Sequence, residues 1–162
     1  MPSLQTPHSL CRVGIATDDI TPPVGIYHRM WGAATHERAT GIHRPLRGTV
    51  VVMRSLASDE EELILIPLDH CLFLAREMEQ FLDRVAVAAG VSRKALVVVF
   101  SHTHAAGLMD EDRASLPGGE LIAPYLEALA QKVARLVCQA QSELQPASIV
   151  YGTGRCSLAG QR

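Results

Sequence analysis

The sequence predicts an α/β fold, in which a mixed, mostly parallel sheet is flanked by helices. Two apolar runs, Leu63–Leu68 and Ala95–Phe100, have the continuous hydrophobicity of strands that are buried on both faces. Residues 74–89 and 120–144 carry apolar side chains at steps of three and four residues, which is typical of amphipathic helices. The order strand, helix, strand, helix, strand is typical of parallel strands joined by right-handed crossovers.

The first third of the chain predicts one strand and a long connection. Residues Arg12–Ala16 form a short apolar stretch, and Pro22 and Pro23 follow in a loop whose shape the two rings restrict. Residues 27–47 show neither a helical nor a strand period and predict a long irregular loop. Loops of that length inside a compact domain are usually functional or disordered.

The remaining elements form a βαβαβ core over residues 49–151. A β-branched strand at Thr49–Met53 is expected to pair antiparallel with the 63–68 strand through an acidic turn. Gly90 is expected to end the first helix in the left-handed conformation that glycine adopts at low cost. The last strand is predicted at Ser148–Tyr151, parallel to its predecessors.

Composition bounds the classes of protein that this chain can represent. Its 162 residues favour a single domain, and the net charge of -2 without a basic block argues against a nucleic-acid partner. No apolar run approaches the roughly 18 residues of a transmembrane segment, and the first 23 residues lack the pattern of a signal peptide. We therefore expect a cytoplasmic protein whose four widely spaced cysteines are reduced thiols.

Polar side chains follow both buried strands, at the sheet edge where α/β proteins bind ligands. Asp69 and His70 follow the first strand, and the run Ser101-His102-Thr103-His104 follows the second. Histidines two residues apart on an extended segment point the same way, so His102 and His104 could hold a metal ion or act in catalysis. We favour these roles over two partly buried histidines that bond to backbone.

The other polar residues at this edge leave alternatives open. Asp69 could orient a histidine ligand or cap the following helix. His70 is assigned to packing. Cys71 could be a nucleophile, but no base or oxyanion hole can be placed beside it.

Four segments in order resemble the neutral/alkaline non-lysosomal ceramidase family, and most closely its shorter bacterial members of unknown substrate. They are Val13–Ile26, Pro67–Asp69, Ser101–His104 and Tyr151–Ala159. The resemblance is to the amino-terminal part of the catalytic domain, so residues 1–162 are expected to be an incomplete portion of a larger domain.

The resemblance implies a single zinc ion that activates water to cleave the amide of an N-acyl sphingosine, a sphingolipid. It makes His102 the first zinc ligand, His104 a catalytic contact to substrate or water, and Asp69 a supporting residue. The family's later ligands, a histidine, a glutamate and a tyrosine, have no counterpart in this chain. The zinc site is therefore only partly supplied here, and the 162-residue chain alone is expected to be inactive.

A departure from the family's sequence pattern widens the functional alternatives. Ala105-Ala106-Gly107 stands where the family usually has Ser-Gly-Pro, which alters the wall of the site. A zinc esterase or lactonase on the same scaffold, and a non-catalytic α/β module, are therefore kept beside the amidohydrolase hypothesis. Since the predicted sheet is not closed, we also expect self-association through an uncovered part of the core.

Overall fold

A computed structural model describes residues 8–30, 32, 34–58, 61–158 and 160. Trp31 in the predicted loop, Asp59 and Glu60 in the acidic turn, and Ala159 in the last family-like segment lie outside these residues. The regular elements are, in chain order, β1 His8–Asp19, β2 Arg47–Arg54, β3 Glu62–Leu68, α1 Ala75–Ala89, β4 Leu96–Phe100, α2 Ile122–Ser142 and β5 Gln145–Val150. Short 3₁₀ turns precede β4 and α2, and another lies at Glu111–Arg113.

The five strands form one mixed sheet in the order β4-β3-β2-β1-β5. The helices contact each other and cover one face of it, where the side chains of Ile64, Ile66 and Val52 are fully buried. The predicted α/β fold is therefore confirmed, as are the antiparallel pairing of β2 with β3 and the parallel pairing of β3 with β4.

The strand directions correct one part of the prediction. In the described part of the chain only β3 and β4 pair in parallel, so the sheet is mostly antiparallel. The expected parallel strand after α2 is wrong: β5 pairs antiparallel with β1 at the opposite edge, with Cys11 facing Ala147. The physical reason is the path of α2, which packs across β1 and β2 and returns the chain beside β1.

Gly14 allows α2 to pack this closely on β1. A Cβ atom at Gly14 would lie 1.8 Å from the backbone oxygen of Ala140, which is fully buried in α2. No side chain can occupy that space, so the helix and the strand touch backbone to backbone.

The ends of the helices follow their local sequence. Gly90 ends α1 with φ at 66°, and its N–H donates to carbonyls of the last turn, as expected. Pro124 lies in the first turn of α2, where a backbone N–H has no partner within the helix.

The predicted long loop is present between β1 and β2. Its described residues include an isolated bridge between Tyr27 and Arg38 but no strand or helix. The loop packs against residues 101–119, where the N–H of Tyr27 donates to the Gly118 oxygen at 2.9 Å. Gly107 fits against the same segment, since a Cβ there would lie 2.6 Å from the Tyr27 oxygen.

The second face of the sheet carries exposed apolar side chains. Ile15 is 55% exposed, Leu63 41%, Val97 40% and Val99 42%, and they lie on strands β1, β3 and β4. In the part of the chain that is described, no helix has the length and apolar character needed to cross a membrane.

Gly14→Ala is expected to lower the free energy of unfolding by about 2–3 kcal/mol, because the added methyl group meets the backbone of α2. Urea denaturation measures this. Gly152→Ala is the matched control, since nothing lies within 4 Å of a Cβ at that position. Equal stability of the two variants would show that α2 can shift away without loss.

The 162-residue chain is expected to self-associate through its apolar face and the β4 edge. Sedimentation velocity should show concentration-dependent association that the double variant Val97→Lys, Val99→Lys reduces. Val87→Lys on α1, where the native side chain is 84% exposed, is the control and should leave association unchanged. A wild-type chain that stays monomeric at all concentrations would contradict this expectation.

Candidate metal centre

The candidate centre lies at the carboxyl ends of β3 and β4. Leu68 is in register with Phe100, and the N–H of Ser101 continues the pairing by donating to the Leu68 oxygen at 3.0 Å. The chain that leaves β3 therefore runs beside the chain that leaves β4. Cys71 and His102 meet there, with the Cys71 Sγ 3.7 Å from His102 Nδ1 and 4.0 Å from Nε2.

His102 has an unusual backbone conformation. Its φ of 55° lies in the left-handed region, which residues other than glycine seldom adopt and which occurs often at functional sites. Its Nδ1 lies 3.0 Å from the backbone oxygen of Cys71. Because a carbonyl only accepts, Nδ1 carries the hydrogen, and the lone pair of the neutral ring is on Nε2. That tautomer is the one a metal ligand requires at Nε2.

His104 lies in the same group of side chains, but not because of the extended backbone that the sequence predicts. Because His102 is left-handed, the segment is not extended, and strand periodicity does not explain why the two rings converge. The rings nevertheless contact each other edge to face, with centroids 5.4 Å apart. One ligand atom from each of Cys71, His102 and His104 lies within 4.8 Å of the others, so these three residues could bind a metal ion.

The donor set fits zinc, the metal that the family resemblance implies. Zinc binds thiolate and imidazole ligands tetrahedrally, and its usual bond lengths place sulfur and nitrogen about 3.6 Å apart. The Cys71 Sγ lies 4.0 Å from His102 Nε2, the nitrogen with the free lone pair. The two atoms would have to come about 0.4 Å closer to share one zinc ion. Burial raises the pKa of the Cys71 thiol, which disfavours a free thiolate nucleophile at neutral pH.

Asp69 lies at the start of this region but stabilises the sheet. Its carboxylate accepts from the N–H of Arg47 at 2.9 Å, and its own N–H donates to the Arg47 oxygen. These bonds join the end of β3 to the start of β2. The alternative that Asp69 caps α1 is wrong, because Leu74 is the N-cap and makes no side-chain cap. The hydrogen bonds described for Asp69 do not reach Cys71, His102 or His104.

His70 belongs to the core, as the sequence suggested. It is fully buried, and its Nε2 donates to the Tyr125 hydroxyl at 2.5 Å, which in turn donates to the Ile20 oxygen at 2.6 Å. Burial lowers the pKa of His70 to about 4, so the ring is neutral. Its Nδ1 has no hydrogen-bond partner among the described residues.

A cavity of about 410 Å³ is lined mainly by residues of the β1–β2 loop. That volume is in the range of small-molecule sites. Ala105 and Ala106, which directly follow His104, line it together with residues of the β1–β2 loop. Among them are His28 and His36, whose rings stack at 5.8 Å. Burial and the neighbouring His36 lower the pKa of His28.

No family model matches this chain, and no curated protein matches it. Solved structures do match it. A neutral ceramidase from Pseudomonas aeruginosa superposes with a TM-score of 0.66 at 20% identity, over 88% of this chain and 22% of that one. The fold of this chain is similar to that of part of a neutral ceramidase. A ceramidase complexed with C2 agrees, with a TM-score of 0.65 at 19% identity and the same coverage.

These similarities confirm the predicted resemblance at the level of the fold. The chain spans about a fifth of the length of the ceramidases it matches. Their identity to this chain is too low to transfer activity, so the roles of His102, His104 and Asp69 remain predictions.

Cys71 is the residue whose part in the cluster the sequence analysis missed. It was considered only as a nucleophile. The available signal was its position, three residues after the end of β3, at the same sheet edge as His102. Only the loop geometry brings its sulfur toward the imidazoles.

The stability of the fold is expected to fall as the pH drops from about 6.5 to 4. The unfolded chain takes up a proton on His70 in this range while the folded chain excludes it, so up to about 3 kcal/mol is lost. Urea unfolding between pH 4 and 7.5 measures the slope. His70→Gln, which keeps a donor for Tyr125, should flatten it, and an unchanged slope in that variant would assign the effect elsewhere.

Proposed function

We propose that this chain is part of a zinc-dependent amidohydrolase that cleaves an N-acyl, ceramide-like amide bond. The observation that carries the proposal is His102. It stands at the end of a parallel strand in a left-handed conformation, and its tautomer leaves the Nε2 lone pair available. The ceramidase-like fold around it supports the reaction class.

Each residue at the site would have a separate role, which follows from its position. Zinc, when bound, would supply an activated water and polarise the scissile carbonyl. The Cys71 carbonyl holds the His102 ring in its ligand tautomer. His104, whose ring contacts that of His102, is placed to pass a proton to the leaving amine. Asp69 supports the site indirectly, because it fixes the end of β3 on β2.

The cavity suggests where the non-reacting part of a substrate lies. Ala105 and Ala106 connect the histidine pair to its wall, and the rest of the lining is largely apolar with three histidines. A lipid-like or other small amide would place its chain there and its amide beside His102. An ester or lactone of similar shape would fit the same space, so the substrate panel must include both.

A non-catalytic role for the 162-residue chain alone is the second candidate. The chain covers 22% of the ceramidase chains that it matches, and the later ligands implied by the resemblance have no counterpart in it. By this account, residues 1–162 hold a metal ion without turning over substrate.

His102→Ala, made in the product of the complete reading frame that encodes this chain, should lose at least about 100-fold in amide hydrolysis together with its bound zinc. Short-chain N-acyl amides, matched esters and lactones measure the activity, and elemental analysis measures the zinc. His43→Ala removes an exposed histidine that lines the cavity but lies outside the cluster, so this variant should keep its zinc whatever its effect on substrate binding. Full zinc and full activity in His102→Ala would refute the proposal.

A further inference from the structure

We infer that Arg113 is a positioning residue, which holds the β1–β2 loop against the segment after β4 and thereby keeps the cavity formed. The inference rests on the proposed function and extends it, because that function places the chain of the substrate in this cavity. Arg113 is not among the residues that line the cavity, so it acts on the cavity through the loop.

The Arg113 guanidinium joins two distant parts of the chain through three contacts. Its Nη1 donates to the backbone oxygen of Arg29 at 3.1 Å, and its Cζ lies 5.5 Å from the centroid of the Tyr27 ring. Its Nε donates to the Asp110 carboxylate at 3.2 Å. The ion pair with Asp110 orients the planar group, so that its other side contacts the loop twice.

The turn that carries Arg113 is fixed on α1. The buried carboxylate of Glu77, in the first turn of that helix, accepts from the N–H of Glu111 at 3.4 Å and from Arg76 Nη2 at 2.8 Å. Arg76 Nη1 also donates to Asp112 at 3.0 Å. Arg113 therefore reaches the loop from a supported turn.

The contacts of Arg113 lie on both sides of a residue in the cavity wall. His28 lines the cavity and stands between Tyr27 and Arg29, the two residues that Arg113 contacts. The N–H of Tyr27 also donates to the Gly118 oxygen at 2.9 Å. With both of its neighbours held, the position of His28 relative to the segment after β4 is set as well.

Partial burial makes these contacts stronger than those of a surface ion pair. The Arg113 side chain is 27% exposed and that of Asp110 is 14% exposed, so water screens the pair less than it screens a fully exposed one. Loss of one hydrogen bond from a charged group corresponds to a shift of about 10-fold or more in an equilibrium. We expect a shift of that size between the closed and the open loop when the guanidinium is removed.

The three residues belong to this chain rather than to the family pattern. Tyr27, Arg29 and Arg113 all lie outside the four segments that resemble the ceramidases. Loops lie at the low end of local stability, so a shift of about 10-fold makes the open form common. The apparent affinity for substrate then falls with the fraction of molecules in which the cavity is formed.

Hydrogen exchange of residues 24–30 is the first measurement, made on the product of the complete reading frame that encodes this chain. Arg113→Met should exchange these amides at least about 10-fold faster than the wild type. Arg93→Met is the matched control, because the ion-pair partners of Arg93 are Glu79 and Asp83 on α1, and its exchange at residues 24–30 should be unchanged. Wild-type exchange in Arg113→Met would overturn the inference.

Steady-state kinetics separate positioning from a merely structural role. The contacts described for Arg113 do not reach His102, so Arg113→Met should raise KM for short-chain N-acyl amides at least about 3-fold and leave kcat within about 2-fold of the wild type. A variant that is only less stable would show a lower Tm and a smaller active fraction at an unchanged KM. That pattern would refute the role of Arg113 at the cavity.

Arg113→Lys is the second variant, and it also covers the case in which Arg113→Met does not fold. An ammonium group keeps the charge near the Tyr27 ring but lacks the planar fork that bonds Asp110 and Arg29 together. Its exchange at residues 24–30 and its KM should lie between those of the wild type and Arg113→Met. If only Arg113→Lys folds, faster exchange than in the wild type supports the inference, and wild-type exchange contradicts it.

The outcomes separate this inference from the proposed function. Hydrolysis with wild-type exchange and wild-type KM in Arg113→Met would refute the role of Arg113 and leave the hydrolase proposal standing. If the complete protein hydrolyses none of the substrates, the proposed function fails. The exchange of residues 24–30 then decides by itself whether Arg113 holds the loop.

Discussion

The parallel pairing of β3 with β4 is the interaction on which the candidate site depends. It places Leu68 beside Phe100 and continues to Ser101, so the two segments that leave these strands must run side by side. A shift of one residue would turn each strand's buried side chains to the other face of the sheet. The buried residues of β3 oppose that shift, and the same register that protects the core therefore places Cys71 against His102.

The second constraint is the close contact of α2 with β1. The space at Gly14 lets the helix cross the sheet backbone to backbone, which carries β5 to the β1 edge and leaves β4 at the other edge. Among the described residues, β4 is therefore an edge strand. The long β1–β2 loop packs against the segment after β4 and forms a cavity with Ala105 and Ala106 of that segment.

The candidate centre joins a rigid interior to an exposed surface. His70 and Phe73 fix the backbone on either side of Cys71 in the core, while His102 and His104 present their rings to solvent. The left-handed backbone at His102 has an energetic cost, which the hydrogen bond to the Cys71 carbonyl helps to offset. Such an arrangement holds the three side chains of the candidate centre on supported backbone.

The sequence by itself determined the α/β class, the bounds of β3, β4 and both helices to within a few residues, and His102 and His104 as the chemical candidates. These follow from local periodicity and from polar residues at strand ends. Only the tertiary structure decided the antiparallel place of β5, the tautomer of His102 and the approach of Cys71 to both histidines. Each of these depends on contacts between residues far apart in the chain. The packing of α2 and the register of β3 and β4 set the geometry of those contacts. Local sequence patterns predict neither the packing nor the register.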